Sequence, residues 1–217
     1  MTAKLAVLIS GRGSNLQSLI DAMASPSFPA EIALVISNRP KAQGLERAAK
    51  AGIPHKVIDH KDFKTREDFD TALDETLRLA NIEFVALAGF MRLLTPDFVR
   101  KWRDRLINIH PSLLPSFRGL HVHERMIDAG IKIAGCTVHF VSAEVDSGPI
   151  IGQAAVPVLP GDTAETLAAR ILEEEPRLYP ACIRLLVEKK ARVSGAVVQY
   201  DSSVTASGVL QNPPDSD

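Results

Sequence analysis

The chain has 217 residues, 46% hydrophobic and 24% charged, the range of a soluble globular protein that can bury a core, so one compact domain or two small ones is expected. Lys and Arg number 25 against 26 Asp and Glu, a formal net charge of −1, which excludes a global basic field for nucleic acid or an anionic membrane and leaves any anionic partner to a local site. Cys136 and Cys182 lack metal-ligand spacing and are too few for a disulfide framework, which makes the cytosol the expected compartment; the N-terminal apolar run is too short for a signal h-region, and no stretch approaches the roughly 20 apolar residues of a membrane helix.

The first half alternates short apolar runs with helical stripes. Leu5 to Ile9, Ile32 to Ile36, Val57-Ile58 and Phe84 to Ala88 read as strands, the longer ones nearly continuous in apolar residues as for strands buried on both faces. Between them, Leu16, Leu19, Ile20 and Met23 fall on one helical face, and Gly44 to Ala51 forms a shorter helix. Phe69, Leu73, Leu77 and Ala80 follow a capping-box pattern, Thr65-Arg66-Glu67-Asp68. This order predicts an α/β fold with a parallel sheet covered by helices.

Further on, Thr95-Pro96 opens a short helix to about Trp102, and Leu106 to His110 is another strand. Residues Pro111 to His123, with two prolines, Ser112, Ser116 and Gly119, form a long ordered loop of the kind that carries function. A helix over Glu124 to Ala129, a strand over Cys136 to Val141, a polar loop Ser142 to Gly148 and a strand over Pro149 to Val158 follow. Thr163 to Glu175 reads as a helix ended by Pro176, with Pro180 opening another to about Lys190. The domain is expected to end near residue 201, and Ser202 onward, rich in Ser, Asp and Pro, reads as a disordered tail.

Three strings carry chemistry. Ser10-Gly11-Arg12-Gly13-Ser14-Asn15 joins the first strand to the first helix, where unsatisfied backbone N–H groups and the helix dipole favour an anion. Leu16 replaces the third glycine of the dinucleotide fingerprint, and Asn38-Arg39 ends the second strand in place of an acidic ribose ligand, so a monophosphate fits better than NAD or ATP, although Arg39 leaves room for a 2′-phosphate. Alone, the string reads equally as a turn. In Asn108-Ile109-His110-Pro111-Ser112-Leu113-Leu114-Pro115, Asn108 and His110 share one face at the C-terminal end of a strand, where α/β sheets place ligands; a protonated His and an Asn amide can stabilise an oxyanion. A core histidine is the plainer alternative. Asp146, in a Gly- and Pro-flanked loop, can pair with His110 and accept a proton, or simply make a turn. His121 and His123 stand at HxH spacing without a closed ligand set, so no metal is expected, and Glu173-Glu174-Glu175 reads as a solvated helix face.

With Ala88-Gly89-Phe90-Met91-Arg92 and Asp146-Ser147-Gly148-Pro149 in the same order, these strings resemble the phosphoribosylglycinamide formyltransferase family of folate-dependent formyltransferases, over about four-fifths of the chain. The resemblance implies a Rossmann-like formyltransferase fold, a mostly parallel twisted sheet with helices on both faces, in a single catalytic domain over residues 1–201. It implies transfer of a formyl group from 10-formyltetrahydrofolate to the amine of glycinamide ribonucleotide in purine synthesis. By that resemblance Asn108, His110 and Asp146 are catalytic; Gly13, Ser14, Asn15 and Glu175 hold the ribonucleotide. Arg66, Met91, Arg92, Leu93 and Leu94, with Asn108 and the loop Ser142, Ala143, Glu144, Val145 and Asp146, line the folate. Small-molecule substrates, no nucleic acid, no membrane, no metal and a monomer or homodimer are implied. Arg118 stands where many relatives have proline, an Arg-Gly pattern similar to methionyl-tRNA formyltransferases.

In the implied reaction the amine attacks the formyl carbon, His110 and the Asn108 amide stabilise the oxyanion, and Asp146 takes the amine proton. A tRNA formyltransferase would call for a C-terminal tRNA-binding domain and a basic surface, and a formyltetrahydrofolate hydrolase for a regulatory domain before Lys4; neither is expected. A non-catalytic nucleotide-binding module would be free to lose Asn108, His110 or Asp146, and the chain has all three.

Overall fold

A computed structural model describes residues 2–205. Seven strands form one sheet in the order β3-β2-β1-β4-β5-β6-β7, so the α/β expectation holds. The pairs β1–β2, β1–β4, β2–β3 and β4–β5 are parallel, and β6–β7 is antiparallel. The chain divides into two compact units: up to Asn108 with Phe140–Ala143, and Ile109–His139 with the chain from Glu144 on.

The first unit contains β1 (Ala3–Ile9), α1 (Ser14–Met23), β2 (Ala30–Ser37), α2 (Gly44–Lys50), β3 (His55–Val57), a 3-10 turn at His60–Asp62, α3 (Arg66–Leu79), β4 (Phe84–Leu87), α4 (Pro96–Lys101) and the start of β5 (Leu106–His110). The expected stripe of α3 is real: Phe69, Leu73 and Leu77 pack with Ala6, Leu8, Ile36, Val85, Phe98 and Trp102. Burying such side chains contributes about 1.5–3 kcal/mol each. The Thr65 hydroxyl accepts from Asp68 N at 3.1 Å and caps α3, and Thr95 caps α4 ahead of Pro96. A carbonyl-to-amide bond between Gly11 and Gly44 fastens the loop after β1 to the start of α2.

The second unit contains α5 (Val122–Asp128), β6 (Ile133–Phe140), β7 (Ile150–Pro157), α6 (Ala164–Val187), β8 (Ala191–Ser194) and β9 (Val197–Tyr200). Val122, Met126, Ala134, Cys136, Val156, Leu167 and Ile171 form its core. One expectation is corrected in it. Pro176 and Pro180 do not end and reopen a helix; α6 runs through both. Each proline removes one backbone donor, from the carbonyls of Leu172 and Pro176, but Leu167, Ile171, Tyr179, Cys182, Ile183 and Leu186 are buried along the same helix and that packing outweighs the two lost bonds. The hairpin β8–β9 carried no sequence expectation; its turn, Gly195-Ala196, places Gly195 at φ 64°. The tail expected from Ser202 onward lies, from residue 206, outside the described residues.

Candidate active site

The loop from Ser10 to Asn15 runs between β1 and α1 and, with Arg39, Ala88, Gly89 and Met91, lines a cavity of about 310 Å³. The two glycines have different reasons. Gly13 sits at φ 73° and ψ 34° as the N-cap of α1, and a Cβ on it would come within 2.8 Å of the Gly44 Cα, so backbone packing against α2 demands glycine there. A Cβ on Gly11 would meet nothing within 4 Å, so only Gly11 leaves open space. The cavity is therefore bounded by the start of a ten-residue helix and by the cations Arg12 and Arg39, a setting for a small anion.

Residues 88–95 have no regular structure and alternate in burial. Phe90 and Leu94 pack against the core of the first unit, whereas Met91 and Leu93 are 67% and 59% exposed. Arg92 is half-buried with its guanidinium carbon 4.7 Å from the centre of the Phe69 ring. Arg66 is exposed at the first position of α3.

Asn108 and His110 stand two positions apart in β5, Asn108 half-buried and His110 buried. The loop after β5 is clamped by β6 and β7: the Thr137 hydroxyl donates to the Ser112 carbonyl at 2.7 Å and accepts from Leu114 N at 3.0 Å, and Gln153 donates to the Leu114 carbonyl at 2.9 Å. The loop so held presents the Phe117 carbonyl 3.0 Å from His110 Nε2 and the Gly119 amide 2.8 Å from Asp146 Oδ2. A carbonyl can only accept, so Nε2 carries a proton. The other ring nitrogen, Nδ1, faces Asp146 Oδ2 at 3.4 Å. Acceptors thus face both ring nitrogens. Nε2–H is directed at the Phe117 carbonyl and is open to another acceptor only by exchanging that bond.

Asp146 adopts φ 50°, a left-handed conformation that Asp tolerates better than most residues and that is found where surrounding structure over-determines it. Its Oδ1 faces Nε2 of the fully buried His139 at 3.6 Å. One carboxylate thus stands between two imidazoles. The sequence marks Thr137-Val138-His139-Phe140-Val141 as the strand leading to the Asp146 loop but gives His139 no role of its own; its signal there is a polar residue inside an apolar strand. His123 is half-buried, and burial, reinforced by the charge of His110 and opposed by Glu124, pushes its pKa below the ordinary value. His121, by contrast, is exposed, so the HxH pair does not converge, and among the described residues no group of three or more His, Cys, Asp or Glu side chains is placed to hold a metal ion. Ser142 and Ala143 fall in the first unit; Glu144, Val145 and Asp146 fall in the second. Arg118 pairs with Glu144 at 3.0 Å. Glu175 is buried on α6, which corrects the solvated-face reading of the Glu run at that position, while Glu173 is exposed.

Residues 3–183 match the formyl transferase family model. The chain belongs to the formyl transferase family. It is 44% identical over 198 residues to the phosphoribosylglycinamide formyltransferase of Haemophilus influenzae, covering 91% of this chain and 93% of that protein. It is 53% identical over 191 residues, 88% of its length, to the trifunctional purine biosynthetic protein adenosine-3 of Bos taurus, of which it spans only 19%. The crystal structure of glycinamide ribonucleotide transformylase 1 from Symbiobacterium toebii superposes with a TM-score of 0.89 at 47% identity, covering 92% of this chain and 94% of that one.

Proposed function

We propose that this family member transfers the formyl group of 10-formyltetrahydrofolate to the amine of glycinamide ribonucleotide, as a cytoplasmic enzyme of purine synthesis acting on small molecules, monomeric or homodimeric, with residues 1–201 as its catalytic domain. The observation that carries this reading is the Asp146 carboxylate set against His110 two residues after Asn108, in a chain similar over nearly its whole length to a phosphoribosylglycinamide formyltransferase.

The ribonucleotide phosphate sits at the start of α1 against Gly13, Ser14 and Asn15, with Glu175 contacting the glycinamide end. The folate lies along Arg66, Met91, Arg92, Leu93 and Leu94, Asn108, and the loop Ser142, Ala143, Glu144, Val145 and Asp146. The neutral amine attacks the formyl carbon, forming the new C–N bond and a tetrahedral oxyanion. Asn108 and a cationic His110 stabilise that oxyanion, each such donor being worth about 3–4 kcal/mol of barrier. The bond from carbon to N10 of the folate then breaks; Asp146, directly or through water, receives the amine proton, and His110 helps deliver one to N10. Atoms balance with formylated ribonucleotide and tetrahydrofolate as products.

The test is to supply both substrates to the purified chain and follow appearance of tetrahydrofolate. Formation that requires the ribonucleotide is expected. Continued formation without it would mean a hydrolase, and saturable ribonucleotide binding with no turnover would mean a binding module.

A further inference from the structure

The segment between β4 and α4 keeps two large apolar side chains in solvent, yet its backbone is held from beneath at both ends. At one end Met91 N donates to the Ser10 hydroxyl at 2.8 Å. At the other, Thr95 N donates to Asp70 Oδ2 at 2.6 Å. Both acceptors are buried side chains from other elements, Ser10 following β1 and Asp70 on α3, where it is 3% exposed. Ser10 has one proton, and it goes to Asn38 Oδ1 at 2.6 Å; Asn38 is itself 1% exposed, and its carbonyl lies 2.9 Å from His60 Nδ1. The hydroxyl that opens the phosphate loop is therefore also the anchor of the segment carrying Met91.

Asp70 does more than accept from Thr95. Its Oδ1 is buried with no hydrogen-bond partner, as is Nε of Arg92, whose positive charge acts on the Asp70 carboxylate together with that of Arg66. Leaving a buried carboxylate oxygen unpaired is costly, and packing alone gives no reason for it.

We propose that Ser10 and Asp70 are positioning residues that preorganise residues 91–95 as a rigid shelf for the folate, with Ser10 also coupling that shelf to the ribonucleotide-phosphate loop. This rests on the reading of Met91, Arg92, Leu93 and Leu94 as folate-lining. A shelf fixed before binding spares the ligand the entropy of ordering it. Losing an anchor weakens ground-state binding and leaves the bond-making groups around His110 in place.

The two anchors predict different signatures in the purified full chain, with each substrate varied in turn. Asp70→Asn keeps an oxygen for Thr95 N but removes the charge facing Arg92; it is expected to raise the folate KM about tenfold, with the ribonucleotide KM unchanged and kcat within about threefold, the pattern of lost uniform binding. Ser10→Ala is expected to raise both KM values. Leu73→Ala, a core truncation on the same helix, is expected to lower the melting temperature and move neither KM. Unchanged folate KM in both anchor variants, or a fall in kcat alone, overturns the proposal. If one variant fails to fold, the other decides. A wild-type chain that transfers no formyl group overturns the functional reading itself, a separate result.

Discussion

Asp146 faces His110 across 3.4 Å from a backbone at φ 50°, with the Gly119 amide on the same carboxylate oxygen and His139 on the other. A carboxylate so placed sets a negative charge between two imidazole rings, which Asn does not. Asp146→Asn keeps an acceptor for Gly119 N, so the loop stays in place while the charge is lost. We expect kcat to fall by about 10² to 10⁴, the range of general acid–base groups, with both KM values moving little. His139→Gln is expected to lower kcat less, because it touches only the outer oxygen. Near-normal turnover in a folded Asp146→Asn protein would remove Asp146 from the chemistry.

The loop after β1 separates a glycine fixed by backbone packing from one that faces open space. Gly13→Ala forces an L side chain into φ 73° and drives its Cβ to 2.8 Å from the Gly44 Cα, so a stability loss of about 1–3 kcal/mol is expected from the backbone strain alone. Gly11→Ala meets no protein atom and is expected to change stability by less than about 0.5 kcal/mol. A methyl group there instead crowds the cavity, so the ribonucleotide KM rises. Thermal melts and initial rates on the two variants check both halves; an unaltered KM in Gly11→Ala would place the phosphate elsewhere.

Much of this is legible in the sequence. Periodic stripes such as Phe69, Leu73 and Leu77 and caps such as Thr65 and Thr95 act locally, and local signals survive folding. Asn108, His110 and Asp146 stand out in the sequence through strand alternation and motif order, and the structure sets Asp146 against His110. What escaped depended on partners distant in the chain. Pro176 and Pro180 read as breaks because the burial of Tyr179 and Ile183 is invisible to a local rule. His139 looked like one polar residue in a strand until the Asp146 loop came beside it. The divided reasons for Gly11 and Gly13 needed Gly44, thirty-one residues downstream of Gly13, in contact.

Asp70 gives a pH dependence of unusual sign for a carboxyl. Burial pushes its pKa above the ordinary value, against the Thr95 hydrogen bonds and the charges of Arg92 and Arg66. The folded state thus holds this proton more tightly than the unfolded chain, so the contribution to stability is full below the unfolded value near 3.8 and is lost as pH rises through the folded value. Asp70→Asn, which cannot ionise, is expected to gain stability relative to wild type over that rise. Denaturant melts of both proteins between pH 3 and 8 measure the difference; a gap that does not grow with pH would show that the carboxylate is fully compensated in place.

The opposite sign is expected at the start of α6. Asp162 receives both terminal nitrogens of Arg170, at 2.6 and 2.9 Å, together with Leu159 N at 2.7 Å and the Thr166 hydroxyl at 2.9 Å. These partners, the Arg170 hydrogen bonds foremost, hold its carboxyl far below the usual carboxylate range. The stabilisation is present above the unfolded value near 3.8 and is lost as pH falls toward the folded one. At neutral pH, Asp162→Asn leaves Arg170 without its partner and is expected to cost on the order of 2 kcal/mol, the scale of hydrogen bonds to a charged group. Acidification below the unfolded value should shrink the gap between variant and wild type, because the wild-type carboxyl begins to take up its proton. A deficit that stayed constant down to the acid transition would mean that Asp162 acts through the shape of its hydrogen bonds and not through its charge.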